Sequence, residues 1–343
     1  MTIEKRLFGY TKDGGKVDCY TLADGVLSVE ILNYGGIIRS FAIQTTKGPR
    51  DVALGFDDVE GYETHTGYIG ALIGRVANRI GGASFSLNEK NYSLGVNDGP
   101  NCLHGGFNGY DKRLWDVQIG DDALILTLHD ADTTGGFPGN LDVEVRYTLG
   151  RSRFDIYYTA RCDEDTPINL TNHCYFNLGG HNSGSIEKHE IAVFGSFITP
   201  VDENLIPTGE LMDVTDTPFD LRNRTKIGRG LRSEHPQIVL GGGFDHNFVL
   251  SRKTNHAMSP AAVLEYDGLI LHCLTTQPGI QFYSGNFLSG EAGKDGAIYN
   301  KRSGLCLETQ SWPDAVNKPN FPTSILRKGE IYSHKTQYAL WER

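Results

Sequence analysis

The chain has 343 residues, 39% of them hydrophobic, so it can bury a large core as two ordinary domains or as one big β domain. Its formal net charge is −10, the wrong sign for a protein that binds nucleic-acid phosphates. The first residues contain no apolar secretory segment, and no stretch approaches the roughly 18 apolar residues of a membrane span. We therefore expect a cytoplasmic protein with neither nucleic-acid nor membrane partners.

Alternating apolar and polar residues are the main pattern along the chain. In order, such runs cover 26–32, 124–128, 141–149, 154–160 and 262–266, and the third and fourth are close enough to form a hairpin. Asp-Gly pairs at 24, 98, 267 and 295 and Asn-Gly at 108 punctuate them, as expected of tight turns. No composition break or repeat divides the chain. The pattern predicts an all-β protein, a large antiparallel sandwich or barrel, in a single domain over residues 1–343.

The cysteines are scattered without any CxxC pair, and several have apolar neighbours. This predicts reduced thiols used as small core residues, with neither a disulfide framework nor a zinc site. The six positions are Cys19, Cys102, Cys162, Cys174, Cys273 and Cys306.

Five segments combine apolar residues with titratable or amide groups that routine strands do not need. Hydroxyls of a sugar require such partners, while the C–H faces of its ring lie against aromatic side chains, so this composition suits a sugar pocket. In chain order the segments are GRVANRI at 74–80, NCLHGG at 101–106, NLTNHCYFN at 169–177, GFDHNF at 243–248 and SGLCLETQSWPDAVN at 303–317.

Two histidines are candidate functional residues, although each also has a purely structural interpretation. His104 precedes two glycines, so it lies either in an exposed turn or where the backbone approaches a ligand. His173 has apolar neighbours and is either a core histidine with satisfied hydrogen bonds or a proton donor.

The remaining candidates are equally ambiguous one by one. Asn78 and Arg79 suit a surface turn, Asp245 suits the start of a polar strand, and Gln277 precedes a Pro-Gly turn. Glu308 follows the short apolar run 304–307, so it is either a strand-end carboxylate facing water or a group held in a pocket for chemistry.

Other classes of site are weakly supported. Two histidines and two carboxylates could bind a metal, but no HxH, HExxH or CxxC spacing fixes two ligands on one element. Neither of the common phosphate-binding glycine patterns, GxxxxGK[ST] and a strand-anchored GxGxxG, is present.

Together and in this order, the segments resemble the aldose 1-epimerase family, also called galactose mutarotases. The similarity extends from VALGF at 52–56 to WPDAVNKPNFP at 312–322 and includes LHGG, FDHNFVL and TTQPGIQFYSGN. It implies a single large β-sandwich of the galactose mutarotase-like (supersandwich) type. It also implies a cofactor-independent reaction that interconverts the α and β anomers of aldohexoses such as galactose and glucose.

The resemblance also implies residue roles. Glu308 is the expected base and His173 the expected acid, with His104 sharing the acid's work. The expected sugar-contacting set is Asn78, Arg79, Tyr175, Asp245 and Gln277, and no metal is implied. One departure from the family pattern is Cys174, where serine is expected in many relatives.

The expected chemistry is ring opening by one base and one acid. We expect partial burial beside Leu307 and Trp312 to raise the pKa of Glu308, and a nearby carboxylate to keep His173 protonated.

Two alternatives to this epimerase remain. One is a non-catalytic sugar-binding module. The other is an epimerase for hexose 6-phosphates, which needs a cationic cluster to which Arg222 and Arg224 could contribute. The expected partner is a small aldohexose, and the expected state is a monomer or a weak homodimer.

Overall fold

A computed structural model describes residues 1–251 and 257–343. The first strands run over Thr2–Tyr10 (β1), Lys16–Ala23 (β2), Leu27–Leu32 (β3), Ile38–Thr45 (β4), Gly48–Asp51 (β5), Leu72–Ile73 (β6), Arg79–Ile80 (β7), Ser84–Leu87 (β8), Lys90–Ser93 (β9), Cys102–Leu103 (β10), Asp116–Ile119 (β11), Leu124–Asp130 (β12), Leu141–Gly150 (β13), Arg153–Cys162 (β14) and Thr166–Pro167 (β15). The others run over Thr171–Asn172 (β16), Tyr175–Phe176 (β17), Glu190–Val193 (β18), Gly195–Ile198 (β19), Met212–Asp213 (β20), Thr225–Lys226 (β21), Asp245–Leu250 (β22), Ser259–Tyr266 (β23), Leu269–Thr275 (β24), Gly279–Tyr283 (β25), Glu291–Ala292 (β26), Ile298–Tyr299 (β27), Leu305–Gln310 (β28), Ile325–Leu326 (β29) and Tyr332–Glu342 (β30). Short α-helices cover Val59–Thr64 (α1), Ile227–Leu231 (α2) and Pro236–Leu240 (α3).

Three antiparallel sheets make up most of the fold. A nine-stranded sheet has the order β11-β12-β13-β14-β30-β24-β23-β18-β21, a six-stranded sheet has the order β17-β28-β25-β22-β19-β20, and β1 to β5 form a five-stranded meander. The predicted all-β antiparallel class is confirmed. The predicted hairpin is β13 and β14, paired from Leu141 opposite Cys162 to Gly150 opposite Arg153.

The core lies between these three sheets. Phe41 of the five-stranded sheet contacts Phe154 of the nine-stranded sheet at a ring-centroid distance of 5.7 Å and Phe176 of the six-stranded sheet at 6.2 Å. On β13 the odd-numbered residues 141–149 are buried and belong to this core, as their alternation predicts. One continuous apolar cluster therefore joins the sheets.

The six-stranded sheet has two unlike faces, and this difference positions the site. On β28, Leu305 and Leu307 point into the main core, whereas Glu308 points to the other face because successive side chains alternate. Gln281 lies directly opposite Glu308 on the neighbouring strand, and Asn247 lies opposite Gln281 on the next. Glu308 is thus in the middle of a buried strand rather than at its end.

Two further features concern the cysteines and the helices. All six cysteines are free, and all but Cys162 are buried. Among the described residues, no helix combines the length and the apolar character needed to cross a membrane. The single-domain organisation remains a prediction.

Replacing Leu307 by alanine tests how far the strand that carries Glu308 depends on the core behind it. Leu307 is buried, so the loss of its side chain should lower the free energy of unfolding by about 2–5 kcal/mol. Chemical denaturation would measure the change. Val239→Ala is the control: Val239 is 66% exposed, and its change should stay within about 0.5 kcal/mol. Equal effects of the two substitutions would contradict the placement of Leu307.

Candidate active site

A cavity of about 310 Å³ brings together seven of the eight residues expected at the site. They come from segments far apart in sequence: two short strands and their loops, the β16–β17 connection, and the polar face of the six-stranded sheet. The seven are Asn78, Arg79, His104, His173, Tyr175, Asp245 and Glu308.

His104 and Asn78 are fixed to each other by two hydrogen bonds, one between their backbones and one from the Asn78 backbone to the His104 ring. His104 N donates to Asn78 O at 3.0 Å, and Asn78 N donates to His104 Nδ1 at 3.1 Å. Both residues have positive φ, and Gly105 continues the left-handed turn at φ 89°. Since Nδ1 accepts a hydrogen bond, the neutral ring carries its proton on Nε2. Burial, with the nearby His173 and Arg79, holds the pKa of His104 well below its usual range.

Glu308 is the most deeply buried carboxyl group of the cavity, with an exposure of 2%. Burial raises the pKa of Glu308 well above its usual value, the charge of Asp245 raises it further, and that of Arg79 lowers it. Its Oε2 atom is buried and has no hydrogen-bond partner among the described residues. The elevated basicity expected of Glu308 is therefore present. Leu307 and Trp312, the apolar neighbours expected to bury Glu308, do not line the cavity.

His173 faces Glu308 across the cavity floor. Its Nε2 atom is 3.6 Å from Glu308 Oε1, and its Nδ1 atom is 3.4 Å from the Sγ atom of Cys306. Burial lowers the pKa of His173 to about 4, so the nearby carboxyl does not keep the ring protonated as expected. A protonated Glu308 beside a neutral His173 holds the same number of protons as an ionised Glu308 beside an imidazolium. The two shifts act in opposite directions, and both favour the neutral forms of the pair.

Asp245 and Arg79 form the polar side of the cavity. Gln281 donates from Nε2 to Asp245 Oδ1 at 2.7 Å, and Arg79 Nη1 is 3.9 Å from Asp245 Oδ2. Burial raises the pKa of Asp245, while Arg79 and Gln281 lower it. These groups offer both donors and acceptors to the hydroxyls of a ligand.

The chain is similar to known proteins along almost its whole length. The family model described as "Aldose 1-epimerase" matches residues 18–339. Galactose mutarotases of Mus musculus and Homo sapiens are 44% and 43% identical to the chain, and each alignment covers 98% of both proteins. The chain belongs to the aldose 1-epimerase family.

Solved structures of the family have the same fold. The crystal structure of a galactose 1-epimerase from Lactobacillus acidophilus aligns over 99% of both chains with a TM-score of 0.86 and 27% identity. The resemblance to aldose 1-epimerases and the galactose mutarotase-like β-sandwich expected from it are thus confirmed.

In this aldose 1-epimerase family member, Gln277 does not lie in the cavity with the other seven residues. It is in the connection between β24 and β25, where its Nε2 atom donates to Tyr332 Oη at 2.9 Å, and it lines a separate cavity. We therefore correct its expected place. Gln281, four residues later, is the glutamine on the strand that faces Glu308.

Alternation along 279–283 would have favoured Gln281, because Ile280 and Phe282 belong to the core and Gln281 points the other way. Tyr283 also lines the cavity and belongs to the segment TTQPGIQFYSGN, although it was not among the expected site residues. Further lining residues lie outside the quoted segments: His65, Tyr68, Phe287 and Glu291. Tyr68 packs against His104 at 4.6 Å and His173 at 5.9 Å between ring centroids, so it supports both.

One ligand atom each from His104, His173 and Glu308 lies within 4.8 Å of the others, a possible metal-binding group. These are the same three residues to which the resemblance gives proton transfer. The two interpretations differ in their response to a chelator.

Replacing Glu308 by glutamine should stabilise the protein, and more so at higher pH. Because the folded-state pKa of Glu308 is raised, the wild type loses stability as pH rises above the unfolded value of about 4.3, whereas glutamine does not titrate. The difference in free energy of unfolding should grow by up to about 1.4 kcal/mol per pH unit while Glu308 stays protonated. Denaturation at pH 5 and pH 8 would measure it.

The control for this comparison is Glu144→Gln, since Glu144 is exposed on β13 and its replacement should give the same difference at both pH values. A Glu308→Gln difference that is equally independent of pH would contradict the raised pKa.

Proposed function

We propose that this protein catalyses the interconversion of the α and β anomers of aldohexoses, with Glu308 as base and His173 as acid. The observation that carries the proposal is the buried Glu308–His173 pair, 3.6 Å apart, in a cavity whose side is formed by Arg79 and Asp245. Relatives of 43–44% identity are named galactose mutarotases, which supports a sugar as the substrate.

Ring opening needs two proton transfers. Glu308 accepts the proton of the C1 hydroxyl while His173 delivers a proton to the ring oxygen, and the C1–O5 bond breaks to leave an open-chain aldehyde. Rotation about C1–C2 exposes the other face of the carbonyl, and the reverse transfers close the ring. One base and one acid are sufficient, and each contributes on the order of 10²–10⁴ in rate.

The ionisation needed for this step differs from the one that burial favours. Burial favours neutral His173 and protonated Glu308, whereas the reaction starts from imidazolium and carboxylate. Both forms hold the same number of protons, so the bound sugar has to favour the transfer of one proton from Glu308 to His173. Hydrogen bonds from the sugar hydroxyls to the ionised groups supply that stabilisation.

The other cavity residues hold the sugar. Arg79 and Asp245 bind hydroxyls remote from C1, while Asn78 and Tyr175 contribute further contacts, so that O1 and O5 meet the two proton carriers. His104 presents its Nε2 side to the cavity and shares the work at the ring oxygen. Gln281 orients Asp245 from below through their 2.7 Å hydrogen bond.

The two alternatives have less support. A non-catalytic sugar-binding module has no need for an acid and a base beside each other. A hexose 6-phosphate needs a cationic cluster, but Arg222 and Arg224 do not line the cavity and are paired with Asp220 and Glu265. Arg79 is the only arginine or lysine among the described lining residues.

The setting of the protein follows from its charge and thiols. We propose a cytoplasmic, single-domain enzyme whose partner is a small sugar, since free buried cysteines suit a reducing compartment and the charge of −10 disfavours nucleic acid. A monomer or a weak homodimer and the absence of a membrane partner belong to the same proposal.

Glu308→Gln should abolish anomer exchange without abolishing sugar binding. Glutamine keeps the size of the side chain but cannot accept the O1 proton, so exchange of α-galactose and α-glucose should fall by about 10²–10⁴. Polarimetry or NMR follows the exchange, and calorimetry follows binding. Near-normal exchange by this variant would remove Glu308 from the base role.

Two controls accompany this assay. Glu144→Gln should exchange at the wild-type rate. The wild type should be equally active with and without EDTA; loss of activity with EDTA and recovery with added zinc would assign His104, His173 and Glu308 to a metal instead. No exchange of either sugar by the wild type would favour the binding module.

Arg79→Ala and Asp245→Asn should mainly weaken substrate affinity. Each removes a charged partner of a hydroxyl, so KM should rise by about tenfold or more while kcat falls less. Steady-state kinetics with both sugars would measure the two constants separately. An unchanged KM in either variant would exclude that residue from the holding role.

A further inference from the structure

Arg79 is shared between a carboxylate inside the cavity and one outside it. Its Nε atom donates to Asp98 Oδ2 at 2.7 Å, while Nη1 is 3.9 Å from Asp245 Oδ2. The Arg79 and Asp245 side chains are each 9% exposed, and that of Asp98 is 33% exposed. Asp98 does not line the cavity that contains Glu308; it lines a neighbouring groove. It is therefore placed to act on Arg79 rather than on the sugar.

The turn that carries Asp98 is rigidly attached. Asp98 N donates to Asn101 O at 3.2 Å, and Asn101 N returns a hydrogen bond to Asp98 O at 2.9 Å, with Gly99 at φ 55° between them. On one side, Asn97 Oδ1 accepts from Leu103 N at 2.7 Å.

On the other side of the turn, Asn101 Oδ1 accepts from Gly82 N at 3.0 Å. These attachments tie the turn to the β7–β10 pair that bears Arg79, since Leu103 lies opposite Arg79 in that pair. The carboxylate of Asp98 is thus held against the guanidinium before any ligand arrives.

The orientation of the guanidinium follows from this contact. With Nε bonded to Asp98, the other end of the planar group points toward Asp245 and the cavity. We propose that Asp98 is a positioning residue that holds Arg79 in its sugar-binding orientation and partly offsets its charge, an inference that rests on the proposed function. Without Asp98, Arg79 has only the longer contact to Asp245 to fix it among the described ion pairs.

The offset of charge has its own consequence. Arg79 lowers the pKa of Glu308 and of Asp245, whereas Asp98 raises that of Asp245. Removing the charge of Asp98 strengthens the effect of Arg79, so Glu308 should lose its proton at lower pH. The charged and titratable residues that line the cavity with Glu308 are His65, Tyr68, Arg79, His104, His173, Tyr175, Asp245, Tyr283 and Glu291, and Cys306 packs against His173.

The test is Asp98→Asn, which keeps the shape of the side chain and removes its charge. KM for galactose should rise by about tenfold with kcat changed by less than about threefold, since the loss is one of substrate orientation and binding. The reactive form holds one proton, and the pKa of Glu308 is raised while that of His173 is lowered, so deprotonation of Glu308 sets the alkaline limb of the pH profile of kcat/KM. In Asp98→Asn that alkaline limb should move to lower pH. Asp98→Glu keeps the charge and should leave the alkaline limb at its wild-type position.

The matched control is Asp165→Asn, which breaks the 2.6 Å ion pair with Arg327 far from the cavity and should change neither KM nor the pH profile. Thermal unfolding of all variants separates a loss of folding from a change at the site. A raised KM with an unmoved alkaline limb, or unchanged values of both in a folded Asp98→Asn variant, would overturn the inference while leaving the proposed function intact. A wild type without anomer exchange would instead overturn the proposed function.

Discussion

The burial of a carboxyl group in the middle of β28 is the constraint on which the site depends. An ionised carboxylate is costly to remove from water, and a buried one lowers that cost by taking up a proton. Glu308 can be kept there because Leu305 and Leu307, on the opposite face of the same strand, are fixed in the main core. Packing of the core thus offsets the free energy that burial of the carboxyl group costs. The group that lowers the stability of the fold is the one proposed to accept a proton from the sugar.

Strand register turns this single burial into a site. Glu308, Gln281 and Asn247 lie side by side on three neighbouring strands, and Asp245 and Cys306 occupy the same face two residues away on the outer two. A shift of one residue in any of these strands would send its polar groups into the core and its apolar groups into the cavity. The distances within the cavity are therefore set by backbone hydrogen bonds, which explains how a site with so many titratable groups is held in one arrangement.

The fold was predictable from the alternation of residues, and most of the site from the motifs, but for different reasons. Period-two runs such as 141–149 identify strands because one face of each is buried. They do not show which sheets pack together. Only the family resemblance therefore indicated that Arg79, His173 and Glu308 belong to one site. Gln277 precedes β25 and lines a separate cavity, whereas alternation within β25 places Gln281 on the face that carries Glu308, and the motif contains both glutamines.

Two electrostatic features could not be obtained from the sequence at all. The pKa of His173 depends on how completely the ring is removed from water, and burial outweighs the nearby carboxyl. The pairing of Arg79 with Asp98 depends on a turn whose distance from β7 appears only in three dimensions. Both depend on burial and on neighbouring charges in three dimensions, which the alternation of residues does not indicate.

The pKa shifts of Glu308 and His173 bear on both directions of the reaction. On the proposed roles, ring opening converts carboxylate and imidazolium into carboxylic acid and neutral imidazole, the forms that burial favours. Burial therefore stabilises Glu308 and His173 in the forms that accompany the open-chain sugar. The closed sugar must stabilise the ionised pair through hydrogen bonds from its hydroxyls. A ligand that binds Arg79 and Asp245 poorly would do less to favour the ionised form of Glu308 that accepts the proton. Binding of the sugar and ionisation of Glu308 are therefore linked. Because Asp98 holds Arg79, it can affect both sugar binding and the pKa of Glu308 without contacting the sugar.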